Sequence, residues 1–149
     1  MPILWRISNF EDLDGIGGLY ASGRWHSRGN QIVYLAEHPA LALLEVMAGL
    51  EIDLDDLPND FKLLKVQVPE HDISSSHVFQ LKSDWNHSEK ETQELGNDWL
   101  ANKQPLLAKV PSAILPESSN FLYNPRHPDA QNTKVIEVIT FPFDQRLVT

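Results

Sequence analysis

One carboxylate stands out among the residues able to do chemistry. In the run Pro39-Ala40-Leu41-Ala42-Leu43-Leu44-Glu45-Val46-Met47-Ala48-Gly49-Leu50, Glu45 is the only polar side chain. Its neighbours are apolar on nearly every face of a helix, so the segment is expected to be buried. Burying an unpaired charge costs on the order of several kcal/mol. Glu45 therefore needs a partner, a cavity to face, or a narrow stripe of solvent, and the cavity would place it at the floor of a cleft. Arg24 is the complementary candidate. It follows Gly23 in Gly23-Arg24-Trp25-His26; a guanidinium fork suits phosphate, and a preceding glycine lets the chain approach a ligand closely. A surface ion pair is the plainer reading of any single arginine.

Other constellations fail on spacing. The six histidines, His26, His38, His71, His77, His87 and His127, form no HExxH pattern and no ligand pair on one helix face, so no catalytic metal is expected. Ser112, His127 and Asp129 supply the residue types of a hydrolytic triad, but no Gly-x-Ser-x-Gly elbow surrounds the serine. Gly15-Ile16-Gly17-Gly18 has the wrong spacing for a dinucleotide fingerprint and opens no evident helix. A second polar cluster, Val110-Pro111-Ser112-Ala113 with Asn120 through Asp129, carries the turn signals Asn124-Pro125 and His127-Pro128. Asn and His in such turns mostly cap the backbone.

The elements that must position these residues follow from periodicity and punctuation. Residues 3–7 read as a strand, the glycines at 15, 17, 18 and 23 as a loop, residues 31–35 as a second strand, and residues 39–50 as a helix opened by Pro39. Residues 61–68 alternate as a half-buried strand ended by Pro69. Ser88 and Glu91 suggest a capping box for a helix to about residue 102, and residues 106–110, 121–123 and 135–141 are further strand candidates. Strands at both ends with two helices between them read as α+β, in one compact domain over residues 1–149.

Composition narrows the function. The chain is 42% hydrophobic and 22% charged, with no apolar run near the ~20 residues of a membrane span. Zero cysteines exclude disulfides and thiolate chemistry. The N-terminal residues lack a secretory pattern, so a cytoplasmic location is expected. A formal net charge of −9 argues against direct nucleic-acid binding. The bases cluster early, at Arg6, Arg24 and Arg28, whereas residues 51–60 carry five acids and no base and read as a solvated loop. A small anionic ligand could still find a local arginine site.

Taken together, Trp5-Arg6-Ile7, Gly23-Arg24-Trp25, Val33-Tyr34, Ala40 through Glu45, Val110-Pro111-Ser112 and Asn120 through Asp129 resemble the RES domain family across nearly the whole chain. His26 stands where that pattern leads one to expect Asn. The resemblance implies a fold similar to ADP-ribosyltransferases, with mixed or antiparallel sheets flanked by helices. It also implies a toxin of a bacterial toxin-antitoxin pair that depletes NAD. NAD would be the substrate, with no further cofactor, and the partner a cognate Xre-type DNA-binding antitoxin; a homodimer within that assembly is compatible with it. The family's functional positions carry over to Arg24, Tyr34, Glu45 and Ser112, with Arg6 and Asn120 as substrate-binding candidates. Arg24 would bind the pyrophosphate with support from Arg6, Tyr34 would stack on nicotinamide or ribose, and Ser112 would hydrogen-bond the substrate. Glu45 would stabilise the cation formed as the nicotinamide–ribose bond breaks. Water, phosphate or a protein side chain could be the acceptor, the last giving an ADP-ribosyltransferase. A non-catalytic binding module is the alternative from another class.

Overall fold

Short alternating apolar segments pair into one seven-stranded sheet in a computed structural model that describes residues 2–49, 61–102, 104–140 and 144–148. The strands are β1 (Ile3–Ser8), β2 (Val33–Ala36), β3 (Lys62–Gln67), β4 (His77–Val78), β5 (Leu107–Pro111), β6 (Ser119–Tyr123) and β7 (Lys134–Thr140). Their order is β4-β5-β6-β2-β1-β3-β7, and every pairing is antiparallel except that of β4 with β5. The helices are α1 (Gly17–Tyr20), α2 (Pro39–Gly49), α3 (Glu70–Ser74) and α4 (Glu89–Ala101).

Strand parity sorts the side chains. Tyr34 lies opposite Leu122, Ala36 opposite Asn120, and Val110 also opposite Asn120. These residues therefore share one face of the sheet, and Ser112 continues the parity of Ala108 and Val110 just past the end of β5. On the other face Val33, Leu35, Phe121 and Tyr123 join Leu4, Leu64 and Val66 in the largest core cluster. A second cluster unites Trp25, Ile32, Ala108, Val110 and Leu122 with Trp99 of α4, and a third sets Leu41 and Ala42 of α2 on Ile7 and Ala36.

The central pair is the weak seam. β1 and β2 share a single paired position, Trp5 opposite Ala36, whereas β1 pairs with β3 over six. The antiparallel register between β1 and β2 is not carried past Trp5, and a cleft opens there.

The expected strands and the two longer helices are present, with ends displaced by a residue or two. Three expectations are corrected. The loop read at residues 15–23 contains the single turn of α1. Helix α2 is not buried on nearly every side: Leu41 and Ala42 are, but Ala40, Leu44 and Ala48 are exposed, because among the described elements the helix packs mainly on β1 and β2. Ser88 is the N-cap of α4 but its side chain makes no capping bond; Glu89 and Glu91 supply first-turn charge instead. α3 and β4 were not anticipated. The acidic stretch at 51–60, Leu50 and Phe141 lie outside the described residues. Among the described residues no helix is long and apolar enough to cross a membrane.

Candidate active site

Helix α2 carries Glu45 to the mouth of the cleft, where two hollows meet. The first, of about 400 Å³, is lined by Arg6 and Ser8 of β1, Tyr34 of β2, Glu45, Asn120 and the glycine turn around His26. The second, of about 330 Å³, is lined by Arg24, Trp25, Tyr34, Glu45, Pro111, Ile114 and Asn120. Glu45, Tyr34 and Asn120 border both, so they form the ridge between them. Each volume is in the range of small-molecule pockets.

Glu45 escapes the cost of a lone charge in apolar surroundings because Ser112 reaches it from β5. The Ser112 hydroxyl donates to Glu45 Oε1 at 2.5 Å and accepts from the amides of Ile114 and Leu115 at 3.2 and 3.1 Å. Ser112 is 0% exposed. Its hydroxyl is thus held by the turn after β5 and aimed at the carboxylate from behind, with no face left for a ligand. Ser112, expected as a substrate contact, is bonded here to Glu45.

The arginines sit one in each hollow. Arg6 is held by one bond, Nη1 to the Asp12 carbonyl at 2.8 Å, and burial lowers its proton affinity against the opposing pull of Asp12. Arg24 donates from Nη1 to the Asn86 carbonyl at 3.2 Å. Neither forms an ion pair with a carboxylate among the described residues. Each keeps most of its five N–H donors for something else.

Tyr34 is fixed by its hydroxyl, which accepts from the Trp25 amide at 3.1 Å and lies 2.7 Å from His26 Nδ1. Burial pushes the phenol's pKa well above its ordinary value, with the Trp25 amide opposing.

The loop holding Arg24 is gripped by one face of α4. Thr92 Oγ1 donates to the Arg24 carbonyl, Gln93 Nε2 to the Gly23 carbonyl, and Asn97 exchanges bonds with Ser27. Gly96 lies so close that a Cβ would stand 1.7 Å from the Trp25 carbonyl oxygen. Trp25 itself stacks with both Phe79 and Trp85. Sequence reasoning missed this stripe, although Thr92, Gln93, Gly96 and Asn97 have the spacing of one helix face.

The remaining candidates separate from the cleft. Asn124 accepts from the Arg126 amide and His127 from the Asp129 amide, so both serve the turn. With Ser112 committed to Glu45, and His127 beside Asp129, the three make no triad. Among the described residues no group of His, Asp and Glu is placed to hold a metal ion.

A mainly antiparallel sheet splayed at its centre, with, in the gap, a carboxylate and two guanidiniums that form no ion pair among the described residues, defines an α+β protein with a cleft suited to an anionic ligand. The chain belongs to the RES domain family, whose profile matches residues 3–144. It is 46% identical over 145 residues to a protein of Pseudomonas putida named Toxin Res, covering 97% of this chain and 99% of that one. It is 33% identical over 155 residues to the Prs ADP-ribosylating toxin of a Sphingobium species, covering 97% and 95%. The fold also matches a chain of the Mycobacterium tuberculosis MbcT–MbcA toxin–antitoxin complex with a TM-score of 0.70 at 14% identity, over 94% of this chain and 84% of that chain.

Proposed function

We propose that this protein is the toxin of a toxin–antitoxin pair and that it cleaves the nicotinamide–ribose bond of NAD in the cleft, the antitoxin being an Xre-type DNA-binding protein. The observation that carries the reading is Glu45, braced by Ser112, on the ridge between a hollow holding Arg6 and a hollow holding Arg24. Breaking that bond leaves positive charge on the ribose, while nicotinamide departs neutral and needs no proton. One fixed carboxylate beside the ribose therefore stabilises the transition state more than the ground state. The two guanidiniums suit the pyrophosphate, and the Tyr34 ring offers a flat face to nicotinamide or ribose. The names of the Pseudomonas and Sphingobium relatives and of the MbcT–MbcA complex agree with a toxin.

A second reading keeps the same cation and changes what attacks it. The name of the Sphingobium relative favours transfer of ADP-ribose to a protein side chain. Purified chain is incubated with NAD alone, with phosphate, and with a candidate acceptor protein, and the products are weighed by mass spectrometry. Free ADP-ribose marks hydrolysis, its phosphate adduct phosphorolysis, and a heavier protein the transfer. Glu45→Gln keeps an acceptor for Ser112 and removes the charge, so nicotinamide release is expected to fall on the order of 10²–10³-fold with the fold intact by circular dichroism. An unchanged rate in that variant, or no nicotinamide from the parent chain under any condition, refutes the assignment.

A further inference from the structure

We infer that His26 is the positioning residue that holds the Tyr34 ring on the ridge between the two hollows, acting through a tautomer that Ala21 imposes. The inference rests on the reading of the cleft as the NAD-cleaving site. His26 is 4% exposed, and both its ring nitrogens are engaged: Nε2 lies 2.8 Å from the Ala21 carbonyl and Nδ1 2.7 Å from the Tyr34 hydroxyl. A carbonyl oxygen can only accept, so Nε2 carries the proton, and in the neutral ring Nδ1 is then the acceptor. The Trp25 amide can only donate, so it takes a lone pair of the phenol. The Tyr34 hydroxyl is left one role, donation to His26. The chain Ala21, His26, Tyr34, Trp25 is fully matched, donor to acceptor, at every link.

The glycines around it are sized to this arrangement. A Cβ on Gly23 would stand 2.7 Å from the Tyr34 hydroxyl and 2.9 Å from His26 Cε1, and one on Gly18 would stand 2.1 Å from the Asn30 carbonyl oxygen and 3.3 Å from His26 Nε2. The motif Gly23-Arg24-Trp25-His26 thus makes room for the imidazole at one end and closes on it at the other. The Gly23 amide also bonds the His26 carbonyl at 3.0 Å. Burial lowers the proton affinity of the imidazole, which favours the neutral ring this scheme requires. His26 and Tyr34 both line the first hollow, and only Tyr34 of the two also borders the second. The effect of His26 passes through the tyrosine.

Two amide substitutions separate the two bonds. An Asn carboxamide falls near the Nδ1 position and can accept from Tyr34; a Gln carboxamide falls near Nε2 and can reach Ala21 only. With NAD as the probe, His26→Gln is expected to lower kcat/KM on the order of tenfold or more through loss of ring placement, and His26→Asn to recover much of that loss. In a Tyr34→Phe background, which has no hydroxyl to hold, His26→Gln should add little, a non-additivity that a merely structural histidine would not produce. Nitrogen-15 NMR of the parent chain should show Nδ1 unprotonated and Nε2 protonated. Equal losses in the Asn and Gln variants, additive losses with Tyr34→Phe, or a proton on Nδ1 at neutral pH overturn the inference. If the parent chain releases no nicotinamide, the functional reading fails instead, and the NMR result alone decides the His26–Tyr34 link. The same holds if His26→Gln does not fold.

Discussion

Ser112 and Glu45 stand 67 positions apart in the chain, and neither explains itself alone. A carboxylate amid Leu, Ala, Val and Met stands out as an anomaly with three possible resolutions; which one holds depends on a partner from the turn after β5, and local pattern carries no such information. His26 was hidden at a separation of only eight positions, because a histidine in a glycine-rich turn has no neighbour in sequence that announces Tyr34. Removing the brace tests the pairing. Ser112→Ala leaves the Ile114 and Leu115 amides without their acceptor and is expected to cost about 1–3 kcal/mol of stability in denaturant titration. It should also lower kcat more than it raises KM, since the carboxylate loses its aim and the arginines keep theirs. A second test uses pH. His26 has its pKa lowered in the fold from the ordinary 6.5, so between those values the unfolded chain binds a proton that the folded chain refuses. His26's contribution to stability is therefore complete above about pH 6.5 and lost as pH falls through that window. Thermal midpoints from pH 7.5 to 5 should decline less steeply in His26→Asn than in the parent chain; equal slopes would remove His26 as the cause.

Helices and strands were legible where they are long and periodic. β3, with Leu64 and Val66 inward, and α2, opened by Pro39, follow directly from spacing. α3 has five residues and β4 two, too few for a period to show, and both exist through tertiary contact: Asp72 is buried on α3, and β4 pairs with the edge of β5. The face of α4 was the larger omission. Its polar Thr92, Gln93 and Asn97 carry no apolar period to mark them, yet they bind the backbone of the Arg24 loop. Gly96 sets how closely the two approach. Gly96→Ala would gain about 1 kcal/mol of helix propensity, but its methyl meets the rigid Trp25 carbonyl at 1.7 Å, and such overpacking costs typically about 1–3 kcal/mol. The clash is expected to win. The variant should melt a few degrees lower and lose NAD cleavage out of proportion, because Arg24 and Trp25 move with the loop. A midpoint at or above that of the parent chain would show that α4 does not position the site.

At the scale of the whole molecule, composition spoke to class and charge, but not to the order β4-β5-β6-β2-β1-β3-β7. That order sets β1 with β3 and β7 on one side of the seam and β2 with β6 and β5 on the other. The cleft is assembled from residues spread between Trp5 and Asn120, so occupying it ties together both halves of the sheet. A net charge of −9 disfavours an anionic ligand on average; Arg6 and Arg24 must overcome that locally. Glu45→Gln, which should bind NAD without consuming it, allows a direct measurement. A ligand that binds only the folded chain, at a hundred times its Kd, stabilises by about 2.7 kcal/mol, which for a chain of this size corresponds to a rise of roughly 5–10 °C in the thermal midpoint. Adding Arg6→Ala and Arg24→Ala to Glu45→Gln should erase that rise. Arg126→Ala, at an exposed position in the turn after β6, should leave it intact. If NAD shifts the midpoint equally with and without the two arginines, the dinucleotide binds elsewhere and the splayed seam is not its site.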